Sequence, residues 1–120
     1  MKYELSQKFY FEAAHTLYRN IDAEGSRRIH GHTYHCEITL TGQPDPESGM
    51  LVDLGFVRKE IERVRDKLDH RLLDEVKGIG PATLENLCTY VFNEFLQTMP
   101  TLVRVTIERQ ASGDRCSLSR

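Results

Sequence analysis

Two long stretches, residues 3–15 and 30–42, alternate between apolar and polar side chains, and that period confines each to an extended strand with one buried face. In the first, Leu5, Phe9, Phe11, Ala13 and His15 share a face; in the second, His30, His32, Tyr34, Cys36, Ile38 and Leu40 do. Both apolar rows therefore run into histidine at one end, and a site built there sits where the core stops. His30 and His32 project the same way, with Gly31 leaving the opposite face bare between them. If the two strands pair, His15 completes a three-nitrogen set with an open coordination position, the arrangement of catalytic rather than structural zinc. His35 falls on the other face beside Thr33, Glu37 and Thr39 and reads as a solvated or interface residue.

The rest of the chain supplies two helices and two more strands. Asp53 reads as the N-cap of a helix in which Val57, Ile61, Val64 and Leu68 recur at helical spacing. Thr83 caps a second, with Leu84, Leu87, Cys88, Val91, Phe92 and Phe95 as its apolar stripe and Pro100 beyond its end. Val103, Val105 and Ile107 alternate with Arg104, Thr106 and Glu108 as a third long strand, and Cys116–Ser119 forms a short final one. Residues 16–29 show little periodicity and read as a loop able to reach over the histidines, while 43–46 form a turn. The expected architecture is α+β, in the order β-β-α-α-β-β: an antiparallel four-stranded sheet with both helices on one face. Such a sheet leaves its other face and its edges uncovered, which favours oligomerisation.

With 120 residues, 39% apolar and 28% charged, the chain fits one globular domain spanning 1–120. A net charge of −2 carries no basic excess for nucleic acid or an anionic membrane, which points to small-molecule partners. The apolar runs are too short to span a bilayer and the N-terminus lacks a secretory pattern, so a cytoplasmic protein is expected. The three cysteines, Cys36, Cys88 and Cys116, are odd in number and fall within elements, reading as buried thiols rather than a disulfide framework.

From Phe11-Glu12-Ala13-Ala14-His15 through His30-Gly31-His32, Leu68-Asp69-His70 and Glu108, the sequence resembles the 6-pyruvoyl- and 6-carboxytetrahydropterin synthase family over nearly its full length. The resemblance implies the tunnelling fold, in which subunits join their sheets into a barrel and trimers stack, commonly as hexamers, with active sites between subunits. It implies zinc on His15, His30 and His32, and 7,8-dihydroneopterin triphosphate as substrate, eliminating triphosphate in a pterin or queuosine-type modified-base pathway. Glu108 would anchor the pterin ring and Thr83 would lie near it. Asp69 and His70 supply a carboxylate and a base titrating near neutrality, with a helix C-terminal cap, favoured by the macrodipole, as the structural alternative for a histidine there.

One position departs from the family. The catalytic cysteine stands four residues before the first histidine of His-Gly-His in the 6-carboxy enzymes, where this chain has Ser26, and six before in the animal enzymes, where it has Glu24. A serine hydroxyl needs an adjacent base to act as a thiolate does, whereas a partly buried glutamate can itself move a proton. Two kinds of function stay open: a zinc-dependent lyase using His70, Asp69 and Glu24 or Ser26, or a pterin-binding homologue disabled by the missing thiol. A side-chain-cleaving activity of the aldolase type, using Glu24, is a third.

Overall fold

The computed structural model describes residues 1–120. Along the chain the elements are β1 (Tyr3–His15), α1 (Ala23–Arg27), β2 (His30–Gly42), α2 (Leu54–Arg65), β3 (Arg71–Leu72), a single 3-10 turn (Leu73–Glu75), α3 (Leu84–Leu96), β4 (Leu102–Arg109) and β5 (Asp114–Ser119). The sheet order is β3-β1-β2-β4-β5. Its four long strands are antiparallel as expected, but there are five strands rather than four, because β3 adds two residues parallel to Ala13–Ala14 of β1. The expected loop over 16–29 contains one short helix, α1. Neither element has a sequence period of its own; contacts with β1 make β3, and the Leu17 N–H bond to the Ser26 carbonyl closes the segment holding α1.

β1 and β2 pair along their whole length, Tyr3 against Gly42 and His15 against His30. β4 joins β2 only from His35 to Leu40, so the histidine end of the ribbon projects beyond the sheet. A register shift at Thr39/Leu40 places Leu102 against Leu40 and in the core, displacing Val103 from the buried row that simple alternation assigns it.

Both long helices lie on one face. Asp53 accepts the Gly55 N–H at the start of α2 (2.8 Å) and Thr83 the Asn86 N–H at the start of α3 (3.1 Å), satisfying donors the first turn leaves free. Arg63 and Arg65 in the last turn of α2 complement its dipole. The helix ends at Arg65, so Leu68 belongs to the following turn, where it is still fully buried. These stripes and the inward rows of β1, β2 and β4 close one core of 23 residues, with Phe9 edge-on to Phe95 and Phe11 stacked on Tyr34 at 5.1 Å.

The helix-free face is polar. Cross-strand hydroxyl pairs, Ser6 with Thr39 (2.8 Å) and Thr106 with Ser117 (2.7 Å), link its strands. All three cysteines are free; Cys36 and Cys88 are buried, and Cys116 is half-buried. No helix is long and apolar enough to cross a membrane.

The cap assigned to Thr83 has a measurable consequence. Thr83→Ala is expected to lower the unfolding free energy by about 1 kcal/mol, read as a reduced urea midpoint with an unchanged m-value. No change would mean that the Thr83 oxygen does not cap α3 in solution.

Candidate metal centre

The ladder between β1 and β2 sets His15 directly opposite His30, and Ala13 opposite His32. All three imidazoles face the helix side, and His15 is fully buried. The Nε2 atoms of His15 and His30 approach to 2.9 Å, and those of His32 and His15 to 3.1 Å. Two further contacts fix their chemistry. His15 Nδ1 lies 2.9 Å from the Ala82 carbonyl and His30 Nδ1 lies 2.8 Å from the Arg28 carbonyl. A carbonyl only accepts, so each Nδ1 must carry the proton, and the neutral ring then presents its Nε2 lone pair inward. Two lone pairs facing each other at that distance repel unless a proton or a cation lies between them. Nitrogens bound tetrahedrally to one zinc stand about 3.3 Å apart, a few tenths of an ångström from the separations here. The donor set therefore fits a metal ion, with the two backbone carbonyls orienting the ligands.

Electrostatics reinforce the neutral state. His32 is pushed down to about 4, first by burial and then by the Arg109 charge and by its two neighbours. His15 is lowered by burial, which outweighs the Ala82 bond that favours its charged form, with His30 and Arg109 adding to the depression.

Arg109 is the residue that the sequence reading missed. It ends the buried row Val105, Ile107 of β4, where a charge at the end of an apolar alternation is the one signal it gives. Its guanidinium donates to the Asp114 carboxylate across the β4–β5 pair (3.0 Å).

Asp69 and His70, adjacent in sequence, also touch. His70 Nδ1 is 2.8 Å from Asp69 Oδ2, while Asp69 Oδ1 accepts the Glu12 N–H at 2.9 Å and the His70 N–H donates to the Glu12 carbonyl at 2.6 Å. The pair is thus fastened to the outer edge of β1, four and five residues past the end of α2; the Asp69 N–H also donates to the Arg65 carbonyl at that end (2.7 Å), while the His70 side chain bonds Asp69 rather than the helix end. The Glu12 N–H holds the Asp69 carboxyl below its ordinary value, with His70 and Arg65 contributing. His70 adopts φ 59°, a left-handed conformation uncommon for a side chain of its size, and it remains exposed. A cleft of about 540 Å³ brings His70 and His32 together, with Gly31, Thr33 and Arg71 also on its walls. A Cβ on Gly31 would meet only the Ala13 carbonyl oxygen at 3.6 Å, so packing inside the chain does not demand glycine; its effect is to open that cleft.

The other predicted residues lie apart. Glu108 pairs with His35 and faces the helix-free side, in a separate cleft of about 400 Å³ with Lys8, Tyr10 and Arg115. It is therefore on the opposite face of the sheet from the three histidines. Ser26 is buried, its hydroxyl donating to the Ala23 carbonyl (3.0 Å) and accepting the Arg19 N–H (3.3 Å). Glu24 is exposed and paired with Arg28 at 2.6 Å. Asp74 ties the chain after the first histidine in place by accepting the Thr16 N–H (2.9 Å) and hydroxyl.

Residues 4–119 match the family described as 6-pyruvoyl tetrahydropterin synthase. The 6-carboxy-5,6,7,8-tetrahydropterin synthase of Bacillus subtilis is 36% identical over 119 residues, covering 88% of this chain and 77% of that protein. The human 6-pyruvoyl tetrahydrobiopterin synthase is 29% identical over 111 residues, covering 81% and 77%. Among solved structures, 6-pyruvoyl tetrahydropterin synthase of Caenorhabditis elegans superposes with a TM-score of 0.87 at 30% identity, covering 100% of this chain and 96% of that one. A Plasmodium vivax 6-pyruvoyltetrahydropterin synthase, in a variant at a glutamate described as a catalytic residue, shares the fold with a TM-score of 0.78 at 18% identity, covering 100% and 98%.

The depressed imidazoles set the acid response of the metal-free protein. The unfolded chain takes up protons near the ordinary histidine value of 6.5, while folded His32 stays neutral down to about 4. The unfolded state then binds more protons, so stability is full above 6.5 and is lost as pH falls through that window. The urea midpoint is expected to decline from pH 7 to pH 4, and less steeply in His32→Gln. Equal slopes for the two proteins would show that His32 titrates normally.

Proposed function

The chain belongs to the 6-pyruvoyl tetrahydropterin synthase family, and from that premise we propose that it is a zinc-dependent lyase acting on 7,8-dihydroneopterin triphosphate with elimination of triphosphate. The observation that carries the reading is the convergence of three Nε2 atoms, two of them with the Nδ1 proton fixed by a backbone carbonyl. His15, His30 and His32 hold the metal, which when bound supplies Lewis acidity toward an oxygen of the substrate side chain.

The chain's own groups do the rest. Asp69 holds the His70 Nδ1 proton, leaving Nε2 free to take a proton from a side-chain carbon and return it. The rigid left-handed turn at His70 aims the ring while leaving it accessible. Glu108 accepts hydrogen bonds from the N–H edge of the pterin, each of its two oxygens serving one donor. Thr83, whose oxygen is engaged by α3, contributes by fixing the segment that carries Ala82 to His15.

Ser26 and Glu24 divide differently. The Ser26 hydroxyl is committed to two backbone groups, so the proposal gives it a structural role and leaves Glu24, on the same helix, as the carboxylate available for proton transfer. The catalytic glutamate of the Plasmodium vivax protein supports a carboxylate in that role. A side-chain-cleaving reaction is the second reading that this arrangement favours.

Glu108 and the histidines occupy opposite faces, so a ligand held by both has to pass the open end of the sheet or be shared between copies. This supports a homo-oligomer, a hexamer formed as a dimer of trimers, with sites between subunits. Size-exclusion chromatography with light scattering is expected to give a multiple of 13.9 kDa; a monomer at micromolar concentration removes the shared site.

Anaerobic incubation of zinc-loaded protein with dihydroneopterin triphosphate, read by product mass, tests the activity. Triphosphate release is expected, falling about 10²- to 10⁴-fold in His70→Ala, while Glu108→Ala keeps its zinc and loses pterin affinity. A hydroxymethyl pterin product would establish side-chain cleavage instead. Binding without release, with turnover appearing only in Ser26→Cys, would replace the lyase by a pterin binder.

A further inference from the structure

Beside the three histidines stands a fixed positive charge to which the proposed reaction gives no task. The β2–β4 ladder ends with His35 against Glu108, and the next residue of each strand beyond it, Tyr34 and Arg109, turns to the helix side by alternation, where the Arg109 charge acts on both Tyr34 and His32. His32 lies two residues further along β2 on that same face. The Tyr34 ring lies 5.6 Å from that of His32 and 6.5 Å from that of His15, so the tyrosine lines the centre from the Arg109 side.

The pair is imperfectly satisfied. The Tyr34 hydroxyl and Arg109 Nε are both buried without a hydrogen-bond partner. Arg109 has one acidic partner, Asp114, and its side chain is only 19% exposed. A staple for the β4–β5 hairpin would work as well, and at lower desolvation cost, on the solvated face of the same strands. Its placement on the histidine side is what needs an account.

We infer that Arg109 is a positioning residue whose charge makes the three-histidine centre a receptor for anionic ligand atoms, acting on whatever occupies the open coordination position. The inference rests on the metal reading above. A fixed cation near the centre weakens the binding of a divalent ion and strengthens that of an anion on it. For a unit charge at roughly 7 Å in a medium of effective dielectric about 20, the effect on a monovalent anion is roughly fiftyfold; partial neutralisation by Asp114 brings it to about tenfold. In the proposed reaction the beneficiary is a side-chain oxygen that gains negative charge as the adjacent carbon loses its proton.

The opposite signs of the two effects make the test decisive. Zinc affinity is measured by competition with a chromophoric chelator, and azide affinity by the visible absorption of the cobalt(II)-substituted protein. Arg109→Gln is expected to bind azide about tenfold more weakly and zinc up to about a hundredfold more tightly than wild type, since a divalent ion feels twice the energy, with Arg109→Lys close to wild type in both. Asp114→Asn, which leaves the charge uncompensated, is expected to shift both affinities the other way. A hairpin staple would lose zinc and azide affinity together in Arg109→Gln, and that result, or no change in either, overturns the inference. A wild-type protein that takes up no metal would instead overturn the metal reading.

Discussion

The register between β1 and β2 is the constraint on which the rest of the molecule depends. With Tyr3 against Gly42 and His15 against His30, every inward side chain of the ribbon is assigned at once. A slip by one residue would turn either apolar row toward solvent and would carry its histidines away with it. The energy that enforces the register comes from Phe11, Tyr34, Cys36, Ile38 and Leu40 packing beneath α2 and α3, and not from the histidines themselves. Metal-centre geometry is therefore inherited from core packing several residues away. Past His35 no β4 partner supports the ribbon, and the neighbouring segments take over: the Arg28 carbonyl from the α1 segment, Ala82 from the approach to α3, and Asp74 from the 3-10 turn.

Features with their own period or cap were legible in the sequence. The bounds of β1 and β2, the Asp53 and Thr83 caps and the shared face of His15, His30 and His32 follow from alternation and capping chemistry alone. Elements made by tertiary contact were not. β3 is two residues long and exists because β1 offers it an edge; α1 exists because Leu17 and Ser26 tie its ends. The bulge that trades Val103 for Leu102 leaves no local mark either. Arg109 was within reach, since continuing the β4 row two residues past Ile107 lands on it. The opposition of Glu108 to the histidines was readable in the same way: its even position on β4 alternates with the buried odd ones.

That opposition bears on how such a sheet carries chemistry. The helix side of the ribbon is dry enough to lower His15 and His32, while the free side carries hydroxyl pairs, Glu108, His35 and Arg115. A metal centre benefits from the first environment, since desolvation favours the neutral form of His15 and His32. Recognition of a polar ring benefits from the second, where a carboxylate accepts hydrogen bonds without being buried. One sheet offers both only by using both faces. An oligomer whose copies met at these edges would bring the two environments together.

The distribution of strain follows the same division. At one end of the ribbon the hydrophobic residues are packed and the hydroxyls are paired, with Gln7 Oε1 as the one buried polar atom there that lacks a partner. At the other, His70 is held at a left-handed φ, the lone pairs of His15 and His30 oppose each other, and Tyr34 and Arg109 keep buried groups unpartnered. Each is unfavourable for the isolated chain, and such features persist only where surrounding structure over-determines them. Here the Asp69 clamp on Glu12 and the carbonyls of Ala82 and Arg28 provide that determination. A cation between the opposed nitrogens would relieve the largest of these conflicts, and an anion beside Arg109 another. The unsatisfied end of the ribbon is thus arranged to gain stability from the ligands it would use.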